Sequence, residues 1–339
     1  MINKLKEKKW IFVSGKGGTG KTTTASSIAL SLAKKGKKTL IVSLDPAHSL
    51  GDSLNEEIGP EIKNVIHKNL YALEFDVKKA FKEEQQFFSS LPNSPRFPGM
   101  EMMGLGEDYA ELLANTPFMP AEYFEGIGFI KLFKIIDESD FDVIVFDTAP
   151  TGHTLKLLEL PEFLDSFLGK MLKIQLRLSS LMNTFKKFFG FGDEVDHSKI
   201  LLDFLKEAQS IIKDVKAKIT DESKTEFIVV GIPTMMSLME TIRLITELTF
   251  YGIPNTFIVL NMVRIYGGNE CIFSKKMSQM HLSILREYEK EFPDKDIRVV
   301  PFFAEEIRGP EKLVLPIKYI NEFSIIDAIQ AIENGKTIE

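Results

Sequence analysis

The chain has 339 residues, 44% of them hydrophobic and 27% charged, with one cysteine and a formal net charge of −6. The acidic balance argues against nucleic acid as the main partner, whose usual footprint is a basic patch. A lone cysteine excludes an intramolecular disulfide framework and suits a reducing compartment, the cytoplasm, while no window approaches the roughly 18 uninterrupted apolar residues of a transmembrane helix.

Residues 1–9 are lysine-rich and no apolar stretch of the signal-peptide kind follows them, so they read as a solvated lead-in. The apolar run Trp10 to Val13 reads as a strand. It enters Gly15-Lys16-Gly17-Gly18-Thr19-Gly20-Lys21-Thr22, which fits the phosphate-loop pattern G-x-x-x-x-G-K-[ST]. Thr22 to Leu32 then reads as a helix. Glycines at this spacing let successive backbone N–H groups turn inward on phosphate oxygens, and the helix N-terminus points a positive dipole end at the same anion. Lys21 is placed to reach the β- and γ-phosphates of ATP and the Thr22 hydroxyl to ligate Mg²⁺, with Thr23 beside them as a further nucleotide contact.

Further short β-branched and aromatic runs follow at Thr39 to Ser43, Leu70 to Phe75, Val143 to Phe146, Phe227 to Gly231, Phe257 to Leu260 and Arg298 to Pro301. Most are almost wholly apolar, which predicts parallel strands buried on both faces. Alternating with helical patterns, they predict an α/β fold, a doubly wound, mostly parallel sheet with its functional loops at the carboxyl ends of the strands. The chain reads as one ATPase domain over residues 1–339. Two connections are too long for plain crossovers, about 76–139 and 151–226, and predict an inserted helical subdomain.

The second strand runs into Asp45-Pro46-Ala47-His48-Ser49-Leu50-Gly51-Asp52 and the fourth into Asp147-Thr148-Ala149-Pro150-Thr151-Gly152-His153-Thr154-Leu155. A lone aspartate at a strand end is most often a helix cap. Two of them in a chain with a phosphate loop point instead to chemistry: Asp45 to orient an attacking water, Asp147 to hold Mg²⁺ directly or through water. His48 and His153 read as groups that order these loops in response to nucleotide. Pro161 to Phe191 carries more apolar residues than one amphipathic stripe needs, and Met100, Met102, Met103, Leu105, Phe118 and Met119 form a methionine-rich patch. Either these segments cover the sheet, or two copies of them enclose an apolar client.

The lysine directly after the first glycine, Lys16, resembles the second lysine of the deviant phosphate-loop ATPases. That class includes the nitrogenase iron protein, the partition and septum-site ATPases, the arsenite-pump ATPases and the tail-anchored-protein targeting ATPases. In that class this lysine crosses a dimer interface to the partner's nucleotide and stabilises developing charge, as an arginine finger does. The loops that begin at Asp45 and Asp147 resemble the two switch motifs of the arsenite-pump and tail-anchored-protein targeting family, and the likeness runs through Pro301 to Gly309. It implies that Asp45 is the catalytic residue activating water, assisted by Lys16 and Lys21. It implies nucleotide contacts from Glu240 and Arg243 in a Glu-Thr-x-Arg segment, from Asn261 reading the adenine, and from Pro301 and Phe303 in the loop that walls the base. It further implies a homodimer, or a higher oligomer, that binds hydrophobic transmembrane helices of client proteins and hands them to a membrane receptor of unknown identity.

Two positions depart from that family. Targeting ATPases carry Cys-x-x-Cys where this chain has Cys271-Ile272-Phe273-Ser274. Two thiols per dimer are half of a four-thiolate site, so zinc is not expected. Lys156 stands where the family often has arginine, which removes a bidentate fork. An arsenite-efflux subunit is the alternative within the family, disfavoured by the single cysteine, as is a cluster-bearing electron carrier. A partition- or septum-type scaffold is the alternative from another class; its membrane-binding element would be the modestly amphipathic Ile325 to Ile332.

Overall fold

In a computed structural model, the structure describes residues 1–45, 49–76, 79–80, 131–137, 139–148, 197–265 and 272–336, the side chains of 197–205 and 208 aside. The chain divides into two compact units: Met1–Asp76 with Asp140–Thr154 and Ala217–Glu339, and Val77–Ser139 with Leu155–Lys216.

The first unit holds β1 (Trp10–Ser14), β2 (Thr39–Ser43), β3 (Lys63–Asn64), β4 (Leu70–Glu74), β5 (Val143–Asp147), β6 (Thr225–Gly231), β7 (Phe257–Val263) and β8 (Asp296–Pro301). They form one sheet in the order β3-β4-β2-β5-β1-β6-β7-β8. Every pairing is parallel except the antiparallel contact of β3 with β4. All seven strands anticipated from apolar runs are present, with ends that differ by no more than three residues and match at both ends for Thr39–Ser43. The eighth, β3, is two exposed residues long and too short to leave a pattern.

The central strands β1, β2, β5 and β6 are buried at every position, as two covered faces require. On one face Phe12 stacks on Phe146 of β5 at 4.4 Å and on Phe227 of β6 at 5.2 Å, each its direct cross-strand partner. On the other, Ile11, Val13, Val145, Ile228 and Val230 pack with Ala25, Ile28, Ala29 and Leu32 of α2 (Lys21–Lys34). Small residues at positions 25 and 29, one turn apart, share the helix face packed in that cluster.

The lead-in is solvated only in part. Residues Ile2–Leu5 form the short helix α1, and both Ile2 and Leu5 are fully buried in the same cluster as α2. Burying two such side chains contributes about 1.5–3 kcal/mol each. They lie three apart and so share one helical face, while the intervening lysine can point its ammonium to water.

The chain then follows α3 (Ser49–Leu54), α4 (His197–Thr220), α5 (Met235–Phe250), α6 (Ile272–Glu291), α7 (Gly309–Lys312), α8 (Leu315–Glu322) and α9 (Ile325–Glu333). Thr234 caps α5 by accepting from the Ser237 N–H, and α9 opens on a reciprocal capping box between Ser324 and Asp327. Residues 131–137 of the second unit are helical, bury Leu132, Phe133 and Ile136, and pair Lys134 with Glu207 at 2.8 Å. Pro161 to Phe191 and the methionine-rich patch from Met100 to Met119 lie outside the described residues. Among the described residues, no helix is long and apolar enough to cross a membrane.

Candidate active site

The phosphate loop joins β1 to α2 and is gripped by two neighbouring strands. Gly15 has φ +152°, and a Cβ there would overlap the Val230 carbonyl oxygen on β6. Gly20 precedes α2 at φ +86°, and a Cβ there would run into the Asn261 side-chain amide at the end of β7. Only glycine meets both conditions, backbone and space. Inside the loop, the Thr19 hydroxyl donates to the Lys16 carbonyl at 2.9 Å, and Asn261 Nδ2 donates to the Thr19 carbonyl at 3.0 Å. Met262 follows with φ +59° at a break in the β7–β8 register, a bulge of the kind that re-aims a neighbouring side chain.

Lys21 is 5% exposed, and its Nζ donates to the Lys16 carbonyl at 3.1 Å. Burial lowers its pKa, opposed by the charges of Asp147 and Asp45. The Thr22 hydroxyl donates to Asp147 Oδ2 at 2.7 Å and lies 3.1 Å from Ser49 Oγ. Asp147 is fully buried, and burial pushes its carboxyl up to about 6, against the Thr22 hydrogen bond and the Lys21 charge. Its second oxygen, Oδ1, is buried with no hydrogen-bond partner. An orphaned carboxylate oxygen beside a threonine hydroxyl fits a hard cation such as Mg²⁺, which takes oxygen ligands. Among the described residues no group of three or more His, Cys, Asp or Glu could hold a metal by itself. Asp45 stands just past β2, where the Leu44 N–H donates to the Asp147 carbonyl at 2.9 Å and ties the two strand ends together.

Comparison with known proteins meets this geometry. The sequence profile of the anion-transporting ATPases matches residues 8–320. The chain belongs to the anion-transporting ATPase family. It is similar to "ATPase ASNA1 homolog 2" of Paramecium tetraurelia, 34% identical over 315 residues, covering 90% of this chain and 91% of that protein. It is also similar to "ATPase GET3" of Ajellomyces dermatitidis, 34% identical over 310 residues, covering 90% and 88%. To "ATPase GET3" of Malassezia globosa it is 34% identical over 328 residues, covering 93% and 91%.

The remaining residues expected of an anion-transporting ATPase fall at several places on the carboxyl side of the sheet. Lys16 Nζ pairs with Glu240 Oε1 of the same chain at 2.7 Å. Glu240 and the exposed Arg243 line a cavity of about 410 Å³ with Met235, Met236 and Met239. Gly17 and Gly18 are exposed, and Thr23 is half-buried. Pro301 ends β8, three strands from β1. Phe303 turns inward against Tyr319 at 5.9 Å, whereas Phe302 is the ring left 54% exposed. Ser274 is buried and accepts from Arg264 Nη2 at 3.1 Å, and the Arg264 N–H donates to His281 Nδ1 at 2.8 Å. Cys271, His48, His153 and Lys156 lie outside the described residues.

Two residues of the site were not among the candidates. Ser49 lies inside the Asp45 motif, but nothing in its own type marks it. Glu74 is buried at the carboxyl end of β4 and accepts from the Gly51 N–H at 3.0 Å, holding α3. The signal was available there: a carboxylate ends an apolar strand, as at Asp147.

Proposed function

We propose that this chain is a homodimeric ATPase that binds transmembrane segments of tail-anchored membrane proteins in the cytoplasm and delivers them to a receptor at a membrane. As a member of the anion-transporting ATPase family, it hydrolyses ATP to ADP and phosphate. The observation that carries the chemistry is the convergence of Lys21, Thr22 and Asp147, with an orphaned carboxylate oxygen, beneath a glycine loop. Likeness along nine-tenths of the chain to ATPases named GET3 and ASNA1 supports the targeting role.

Thr22 Oγ1 and Asp147 would hold Mg²⁺, which when bound neutralises charge on the phosphate oxygens. The loop N–H groups and Lys21 bind and orient the triphosphate. Asp45 orients the attacking water. Lys16 reaches the triphosphate of the other protomer, so that hydrolysis requires a closed pair. Glu240, Arg243, Asn261 and Pro301 surround the nucleoside, and Phe303, packed inward on Tyr319, supports the Pro301 loop from behind. ATP-driven closure joins the two helical units into one apolar groove, and hydrolysis releases the client.

The test is capture of a single-span membrane protein by the purified chain. A stable complex forms with ATP and dissociates after hydrolysis, and light scattering finds a dimer in ATP and magnesium. A strictly monomeric species under those conditions refutes the reading.

A further inference from the structure

Resting on the Mg²⁺–ATP reading above, we propose that Ser49 is a third protein oxygen of the cation's shell, presented to it by α3. Thr22 Oγ1 stands between two oxygens, Asp147 Oδ2 at 2.7 Å and Ser49 Oγ at 3.1 Å. Mg²⁺ holds its ligands octahedrally at about 2.0–2.1 Å, which places neighbouring ligand oxygens about 2.9 Å apart. Both spacings lie close to that octahedral edge. The adjacent Asp147 Oδ1 is buried and unpaired, so the same corner carries a polar group that the protein leaves unsatisfied.

The hydroxyl protons allow Ser49 to exchange its hydrogen bond for the cation. Thr22 has one proton and gives it to Asp147, so the proton between Thr22 and Ser49 comes from Ser49. A cation on Thr22 Oγ1 repels that proton. Rotation of the Ser49 hydroxyl about its C–O bond then turns a lone pair toward the cation. No backbone movement is required to begin the exchange.

The rest of α3 is anchored, so Ser49 is presented from a fixed support. Leu50 and Leu54 are fully buried, Ser53 Oγ donates to Ser26 Oγ of α2 at 3.1 Å, and the Gly51 N–H is held by Glu74. A Cβ at Gly51 would press on the Glu56 carbonyl oxygen at 2.8 Å, so this position of α3 takes glycine. Asp45 lies four residues before Ser49 on the same chain segment.

The experiment measures Mn²⁺ affinity of the full chain, saturated with a non-hydrolysable ATP analogue, from the free Mn²⁺ electron paramagnetic resonance signal. Ser49→Ala weakens Mn²⁺ binding about tenfold, the loss that removal of a supporting metal contact brings. Ser49→Thr keeps the hydroxyl and stays near the wild-type value, and nucleotide affinity in EDTA is unchanged in both. Ser53→Ala disturbs the same helix at its packing contact and leaves Mn²⁺ binding intact. If Ser49→Ala binds Mn²⁺ as the wild type does while Thr22→Ala does not, the role of Ser49 is overturned and the phosphate-loop cation site stands. Wild-type affinity in Thr22→Ala as well overturns that site and the inference together. Equal losses in Ser49→Ala and Ser53→Ala assign the effect to helix packing and also overturn the inference.

Discussion

Lys16 Nζ lies 2.7 Å from Glu240 Oε1, joining the phosphate loop to α5 across 224 residues of sequence. The two side chains are 37% and 35% exposed, so solvent screens the pair and it contributes under ~1 kcal/mol. In the proposed dimer, Lys16 has to leave this carboxylate before it can reach the partner's triphosphate. Glu240→Gln should therefore leave the thermal midpoint within about 2 °C of wild type and tighten ATP-dependent self-association by up to about fivefold. Analytical ultracentrifugation at fixed ATP reads both protomer states. Weaker association would mean that the carboxylate is needed in the closed pair.

Lys16→Ala separates binding from turnover. ATP affinity should change little, because Lys21 and the loop N–H groups remain. Hydrolysis should fall about 10³-fold, the scale of a missing charge-stabilising finger. Single-turnover hydrolysis alongside equilibrium nucleotide binding tests this; equal losses in the two measurements would assign Lys16 to ground-state binding. Asp45→Asn should behave similarly, with ATP affinity retained and hydrolysis reduced ~10²–10⁴-fold, the range for a lost proton-transfer partner.

The loop glycines are not equivalent. Gly15→Ala meets both a left-handed backbone at φ +152° and the Val230 carbonyl, and should destabilise by about 1–3 kcal/mol or more. At Gly17 a Cβ would find no atom within 4 Å, and no left-handed backbone is required. Gly17→Ala should leave the urea midpoint unchanged or raise stability by about 0.4–1 kcal/mol. A similar penalty at both positions would contradict the described loop geometry.

The N-terminal helix makes a prediction about stability alone. Leu5 is fully buried, and Leu5→Ala should cost about 2–5 kcal/mol in urea unfolding. Lys6, with its side chain 44% exposed, should tolerate Ala within about 0.5 kcal/mol. A near-neutral Leu5→Ala would restore the picture of a solvated lead-in.

His281 gives a pH dependence with a definite sign. Burial holds its imidazole down to about 4, against an ordinary 6.5, and its Nδ1 accepts from the Arg264 N–H. A depressed folded value favours the neutral ring, so its contribution is complete above about pH 6.5 and is lost as pH falls toward about 4, on the order of 3 kcal/mol in all. His281→Asn keeps an acceptor without titrating. The stability difference between wild type and this variant, followed by urea unfolding from pH 7.5 to 4, should shift against the wild type on acidification. A difference that stays level would show that the ring is not held neutral by burial.

The amino-acid sequence by itself determined the seven principal strands, the phosphate loop and the two aspartates at strand ends. Each is written in contiguous residues: an apolar run, a glycine spacing, a carboxylate after a strand. The same signal at Glu74 was legible and marks a real buried carboxylate, whereas Ile2 and Leu5 were masked because two apolar residues are too few to show a period. Only the tertiary structure decided which side chains meet. Thr22 and Asp147 are 125 residues apart, and Asn261 and Thr19 are 242 apart. The order β5-β1-β6-β7 brings those strand ends beside one phosphate loop. Strand order depends on how crossovers pack around a shared core, a sum over distant contacts that no local stretch of sequence contains.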